Sequence, residues 1–169
     1  MVASAVVLHR VSFTAPIDDS KRLSPSAREA AYREILPNAD IGIGYVVPEE
    51  IDRLGIHRAT QLAMWRALHR LPVAPALVLV DGPWIPPDLP CRAVPIIHGD
   101  GKSLAIACAS IVAKVVRDRL MRRIHAFLPE YGFLRHKGYG TPEHLKALRR
   151  IGPSLFHRFS FSPVREVNL

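Results

Sequence analysis

The chain has 169 residues, 49% of them apolar, and 23 Lys plus Arg against 15 Asp plus Glu leave a net charge of +8. This length suits a single domain with a sizeable core, and this apolar share excludes a disordered chain. The basic excess admits two readings equally, a polyanionic partner with nucleic acid foremost, or a basic solvated surface. The first segment, "VASAVVL" (residues 2 to 8), reads as a strand. "MVASAVVLHR" has no basic n-region of a signal peptide, and its apolar run is too short to span a bilayer. "DDSKRLS" follows as a charged loop, in which Ser20 can donate to a phosphate and Lys21 and Arg22 can meet one. In "LSPSAREAAYREIL", Ser24 is the N-cap and Pro25 takes the first helical position, where its missing N–H costs nothing. "ADIGIGYVV" alternates like a strand, and "PEEIDRL" opens a short helix with an acidic nose.

"IHRATQLAMWRALHRL" predicts a helix with Leu62, Trp65 and Leu68 on its apolar face. "ALVLVDG" reads as a buried strand of the parallel type ending at Asp81, and "CRAVPII" as a second strand ending near Asp100. A long helix runs from about Lys102 to Phe127, with a stripe of Leu104, Cys108, Ile111, Val112 and Val115. "TPEHLKALRRIG" repeats the Thr/Ser-Pro start and closes on Gly152, a residue suited to ending a helix. Strands alternate with helices, so the class is α/β. Cys91 and Cys108 form no CxxC and fit free thiols in a reducing cytoplasm.

The stretch "HGDGKS" invites comparison with a phosphate-binding loop. That loop needs a glycine five residues before Gly101, where this chain has Ile96. A β-branched residue does not take the positive φ required there, so the phosphate-loop reading is dropped. Asp81 and Asp100 each follow an apolar strand and precede a glycine. Taken alone they read first as turn aspartates, because Asp-Gly is a common turn dipeptide. They read second as two carboxylates beyond strand ends, where α/β sheets bind ligands, able to share Mg²⁺ or Mn²⁺. "YGFLRHKGYGTPEH" interleaves aromatic, basic and glycine residues. Tyr131 and Phe133 are expected in the core, and Tyr139, between glycines, at the surface where it can stack on a sugar or base. The histidines show no metal spacing and read as surface residues, with His136 and His157 in basic runs.

In order and spacing, "DDSKRLS", "PEEID", "IHRATQLAMWRAL", "VLVDG", "GDGKS", "ASIVAKVVRDRLM", "YGFLRHKGYGTPEH", "GPS" and "HRFSF" resemble the type 2 ribonucleases H, the ribonuclease HII family, from about residue 2 to about 165. The resemblance implies a ribonuclease H-like mixed sheet flanked by helices with a small C-terminal helical portion. It implies one domain over 1–169, with a core to about 128 and a substrate-contacting portion from about 129. It implies a cytoplasmic endonuclease of ribonucleotide excision repair that leaves 5′-phosphate and 3′-hydroxyl ends, and a monomer is the default reading of the sequence. Its substrates would be RNA–DNA hybrids and single ribonucleotides in duplex DNA, with no membrane partner. The family's four carboxylates hold two Mg²⁺ or Mn²⁺ ions about 4 Å apart. Asp81 matches the third carboxylate and Asp100 the fourth. Tyr139 matches the tyrosine at the RNA–DNA junction, and Ser20 and Lys21 a loop near the substrate backbone. Lys102 opens the long helix, whose N-terminus favours a phosphate. Gly99 and Gly101 allow a close approach of backbone to metal and substrate, and Asp118 is a charge partner for nearby arginines.

The family's first two carboxylates lie in a motif of the type Asp-Glu-Ala-Gly-Arg-Gly, and no such stretch occurs in this chain. The reading is therefore of a chain truncated at its N-terminus relative to the family, with the central first strand missing. The alternative function is an inactive remnant or a nucleic-acid-binding module.

Overall fold

The computed structural model describes residues 1–167. Strands β1 (Val2–Leu8), β2 (Ala39–Tyr45), β3 (Leu77–Asp81) and β4 (Arg92–Ile96) alternate with helices α1 (Pro25–Ile35), α2 (Pro48–Leu68) and α3 (Leu104–Phe127). Three shorter helices close the chain: α4 (Phe133–His136), α5 (Pro142–Ile151) and α6 (Ser162–Arg165). The chain divides into two compact units, one of Val2–Tyr45 with Thr60–Val115, the other of Met1, Val46–Ala59 and Val116 onward.

In the first unit, β1 and β2 run antiparallel with Val2 opposite Tyr45 and Leu8 opposite Ala39. β3 and β4 run parallel, Leu77 beside Arg92 and Asp81 beside Ile96. The mixed strand directions expected from the sequence are present, but as two separate two-stranded ladders. β3 departs from the expected buried strand. Leu77 and Leu79, which share one face of the strand, are exposed, while Val80 on the opposite face is buried.

The local start signals hold. Ser24 Oγ accepts the Ala27 N–H at 3.2 Å, with Pro25 at the first helical position. Thr141 Oγ1 accepts the His144 N–H at 3.3 Å, and Gly152 ends α5 with φ of 75°. α2 is broken at Gly55, whose φ of 75° leaves the helical region, so "PEEIDRL" and the segment after it are two helical runs, as the sequence suggested.

Of the expected apolar face of the second run, only Leu68 is buried. Ala63 and Ala67 are essentially inaccessible, whereas Leu62 and Trp65 are only half-buried. The reason lies on β2. A Cβ on Gly44 would sit 1.9 Å from the Ala63 carbonyl oxygen, and one on Gly42 would sit 2.0 Å from that of Ala67. Glycines two apart on a strand meet alanines four apart on a helix, and the backbones approach closer than larger side chains allow. The long helix keeps most of its expected stripe, with Cys108, Ile111, Val112 and Val115 buried and Ile106 and Ala107 added, while Leu104 is only half-buried. Both cysteines are free, and burial pushes the Cys108 thiol up to about 11.

In the second unit, Ile124, Tyr131, Phe133, Ala147, Leu148 and Val164 form one apolar cluster. Asp52 on α2 accepts the Phe159 N–H at 2.7 Å and the Ser160 N–H at 3.1 Å, which fastens the last segment of the chain. Among the described residues no helix is long and apolar enough to cross a membrane.

Candidate active site and nucleic-acid contacts

Asp81 ends β3, and the turn after β4 carries Asp100. The parallel register puts Asp81 beside Ile96, and Gly82 continues the pairing by donating its N–H to the Ile96 carbonyl at 2.9 Å. The chain then turns through His98, in the left-handed region at φ of 55°, into the tight Gly99–Gly101 turn. A non-glycine residue held there is uncommon and is a feature of tightly determined turns. The turn delivers the Gly99 N–H to Asp81 Oδ1 at 2.9 Å. Asp100 Oδ1 accepts the Gly101 N–H at 3.0 Å. Each carboxylate is thus steadied through one oxygen. Among the described residues the other oxygen of each makes no hydrogen bond or ion pair. Asp81 is exposed and Asp100 half-buried.

Gly99 is demanded by its surroundings, since a Cβ there would lie 2.6 Å from Ile106 Cδ1 and 3.2 Å from Asp81 Oδ1. A Cβ on Gly101 would meet open space. The Lys102 and Ser103 N–H groups close the turn on the Gly99 carbonyl at 3.0 and 2.8 Å. Lys102 is exposed at the start of α3, where N–H groups not used inside the helix favour an anion.

The donor set, carboxylate oxygens without sulfur, fits a hard divalent cation. Among the described residues no group of three or more His, Cys, Asp or Glu side chains is arranged to hold a metal. Asp81 and Asp100 are therefore two donors, and the remaining ligands of a six-coordinate ion would have to come from water or substrate phosphate.

The other residues singled out from sequence fall in distinct surroundings. Ser20 is buried, and its hydroxyl bonds to Ser110 Oγ of α3 at 2.9 Å. Arg28 of α1 reinforces that loop by donating to the Ser20 and Leu23 carbonyls at 2.6 Å each. Lys21 remains exposed beside it. Asp118 lies 3.9 Å from Arg117, a loose ion pair of the kind the sequence suggested.

Tyr139 belongs to the second unit and is 57% exposed, as its place between glycines predicted. Lys137 at φ of 51° and Gly138 at φ of 82° turn the chain so that the ring faces outward. The Arg117 guanidinium sits 5.0 Å from the ring centre, and Arg117 also donates to the Lys137 carbonyl at 2.8 Å. Behind this loop, His136, His144 and His157 are buried, which corrects the expectation of surface histidines. His136 stacks on His144 at 4.4 Å, and the Phe133 ring packs against all three imidazoles at 5.4 to 5.8 Å. Tyr131 and Phe133 are buried as expected. One sequence signal pointed to the cluster. His144 follows the Thr141 cap by three residues on a helix whose apolar side must face inward.

Residues 1–164 match the family model described as Ribonuclease HII. The match begins at the first residue, and nothing in it supports the expectation of a truncated start. A ribonuclease HII from Chlamydia pneumoniae is 48% identical over 170 residues, covering 99% of this chain and 78% of that protein. Among solved structures, the ribonuclease H2 of Pyrococcus horikoshii superposes with a TM-score of 0.72 at 20% identity, covering 99% of this chain and 97% of the other. A Bst ribonuclease HIII solved in complex with Mn²⁺ superposes with a TM-score of 0.64 at 15% identity, covering 90% and 57%. These structural likenesses establish the ribonuclease H-like α/β fold expected from the sequence.

Proposed function

The chain belongs to the ribonuclease HII family, and on that footing we propose that it is an endoribonuclease. It cuts the RNA strand of RNA–DNA hybrids and single ribonucleotides embedded in duplex DNA, leaving 5′-phosphate and 3′-hydroxyl ends. The observation that carries the reading is the pair Asp81, at the end of β3, and Asp100, in the turn after the parallel neighbour β4, joined through the Gly99 N–H on Asp81.

Asp81 and Asp100 would hold the divalent cation, Mg²⁺ or Mn²⁺, and the Mn²⁺ complex of a protein with this fold supports that choice. A bound pair of such ions supplies an activated water and stabilises the leaving oxygen. The chain's own residues prepare the site. The Gly99 N–H fixes one oxygen of Asp81 and leaves the other available to a cation. Lys102 meets a substrate phosphate from the exposed start of α3, and Lys21 meets another from the loop that Ser20 anchors through Ser110. Tyr139 offers an exposed ring, braced by Arg117, to the sugar and base at the RNA–DNA junction.

A second reading, a nucleic-acid-binding module without catalysis, is favoured by one observation. Among the described residues no third metal-ligating side chain joins Asp81 and Asp100. Incubating the folded chain with Mn²⁺ or Mg²⁺ and a duplex bearing one ribonucleotide separates the two. Nicking at the ribonucleotide that disappears in Asp81→Asn supports the nuclease, whereas binding with neither ion producing a nick supports the module.

A further inference from the structure

The three buried histidines have no place in the metal chemistry, yet their hydrogen bonds run in one direction. The Ser154 N–H points at His157 Nδ1 at 2.9 Å, so this nitrogen accepts. The Ser154 carbonyl lies 3.3 Å and the Ser154 hydroxyl 2.9 Å from the same nitrogen, but a hydrogen on Nδ1 would face the Ser154 N–H at 2.9 Å, so the hydroxyl, which can rotate, donates there too. A neutral His157 therefore carries its hydrogen on Nε2, which lies 3.0 Å from His144 Nε2. His144 must accept there and carry its own hydrogen on Nδ1, 2.9 Å from the Tyr139 carbonyl. His136 is fixed in the same way. The Gly138 N–H at 3.2 Å makes its Nδ1 an acceptor, and its Nε2–H donates to the Tyr131 carbonyl at 2.7 Å.

Both sides of Tyr139 are thereby held. Its N–H donates to the His136 carbonyl at 2.9 Å, and its carbonyl accepts from the Thr141 N–H at 2.8 Å as well as from His144. The loop needs such a clamp, because Tyr139 lies between two glycines, the residues that lose most freedom on ordering.

We propose that His144 and His157 are positioning residues for Tyr139, forming a one-way hydrogen-bond relay from Ser154 that holds the Tyr139 backbone so that its exposed ring meets the ribonucleotide. The proposal rests on the reading of Tyr139 as the residue at the RNA–DNA junction. Protonation of either imidazole breaks the relay. A hydrogen added to His144 Nε2 would face the one on His157 Nε2, and a hydrogen added to His157 Nδ1 would face the Ser154 N–H. Burial lowers the pKa of His144 and brings that of His157 to about 4, so the relay is intact at neutral pH. The groups around the pair are few. α4 contributes His136, stacked on His144, and the turn before it contributes Tyr131, whose ring is 4.8 Å from that of His157. α3 brings Arg117 over the Tyr139 ring, and Arg158, next in the chain to His157, lies over Phe161. The cluster beneath is otherwise apolar, with Ile124 from α3, Leu148 from α5 and Val164 from α6.

Two measurements on the whole chain test this. Long-range ¹H–¹⁵N NMR of the imidazoles at neutral pH should find the hydrogen on Nε2 of His157 and His136 and on Nδ1 of His144. An Nε2–H tautomer at His144 overturns the relay, whatever Tyr139 does. The second measurement is the ratio of dissociation constants for a duplex with one ribonucleotide and the same duplex in DNA alone. Tyr139→Ala should lower this discrimination about tenfold, the value of one lost stacking contact. His144→Ala should lower it as much, and the double variant no further than Tyr139→Ala alone, as coupled residues require. His144→Asn, whose amide can donate in place of Nδ1–H, should recover most of the loss. A structural role alone would lower thermal stability and leave the ratio unchanged, which overturns the proposal. If His144→Ala does not fold, His144→Asn carries the test, since full loss of discrimination in folded His144→Asn contradicts a role for the donor. Unchanged discrimination in Tyr139→Ala, with the expected tautomers present, overturns the proposal through its premise and identifies the reading of Tyr139 as the part that failed.

Discussion

The Asp81–Asp100 turn and the histidine cluster behind Tyr139 solve opposite problems with polar groups. At the turn, two carboxylates stand near solvent, each steadied by a single backbone N–H and keeping one oxygen free. In the cluster, three imidazoles are buried and their ring nitrogens are committed to protein partners. The first arrangement leaves coordination capacity for a ligand. The second spends all of it on holding a loop, as burial of polar groups requires. Exposure with an unspent oxygen marks chemistry, and burial with every valence filled marks support.

The largest expected effect comes from the close approach of β2 and α2 in the unit that also carries the carboxylates. Gly44→Ala puts a methyl group 1.9 Å from the Ala63 carbonyl oxygen, against backbone that cannot swing aside. It should cost ~3 kcal/mol or more in urea denaturation, at the upper end of overpacking effects. A cost below ~1 kcal/mol would show that β2 and α2 part easily.

Asp81→Asn isolates the chemistry from that frame. Asn Oδ1 can still accept the Gly99 N–H, so the melting temperature should hardly move. Metal-dependent cleavage should fall about a hundredfold or more, because a ligand charge at a metal site supports several kcal/mol of transition-state stabilisation. Equal loss of stability and activity would erase the contrast between the turn and the cluster.

Acid should act on the cluster. The folded pKa of His157 is about 4, against an ordinary value of 6.5. Its neutral form is the one the fold binds, so its contribution is complete above pH ~6.5 and is lost as pH falls toward ~4, where the unfolded chain takes up more protons. The loss should reach ~2 kcal/mol across that window in wild type and shrink in His157→Gln. A flat stability between those pH values would mean that His157 is not held neutral.

The smallest effect is expected at the surface of the same unit. Arg135 and Glu143 form an exposed pair at 3.4 Å. Arg135→Ala should change stability by less than ~0.5 kcal/mol, as exposed ion pairs do, and leave acid sensitivity as it was. A larger change would show that the pair supports the Tyr139 loop beside it.

Much of the fold was legible because its signals are local. A Ser or Thr before Pro marked the starts of α1 and α5, and short apolar runs marked all four strands. Asp81 and Asp100 stood out because each follows an apolar run and precedes a glycine. Other features depend on residues far apart in sequence. Ala63 and Ala67 carry little hydrophobic signal, and only the bare glycine backbone of β2 makes them the buried face of α2. Leu77 and Leu79 read as core and are exposed, because the burial of a strand depends on its neighbours and not on its own composition. Ser20 offers a hydroxyl that a phosphate could use, until Ser110 is seen 2.9 Å from it.

Sequence by itself therefore determined the α/β order of elements, the approximate positions of their ends, the exposure of Tyr139 and the two carboxylates that follow apolar runs. These rest on backbone preferences and short-range periodicity, which act within a few residues. Only the tertiary structure decided that His136, His144 and His157 are buried, with their ring nitrogens facing backbone groups and one another. The state of an imidazole nitrogen is set by the group opposite it, and here those groups come from turns up to 13 residues away in the chain.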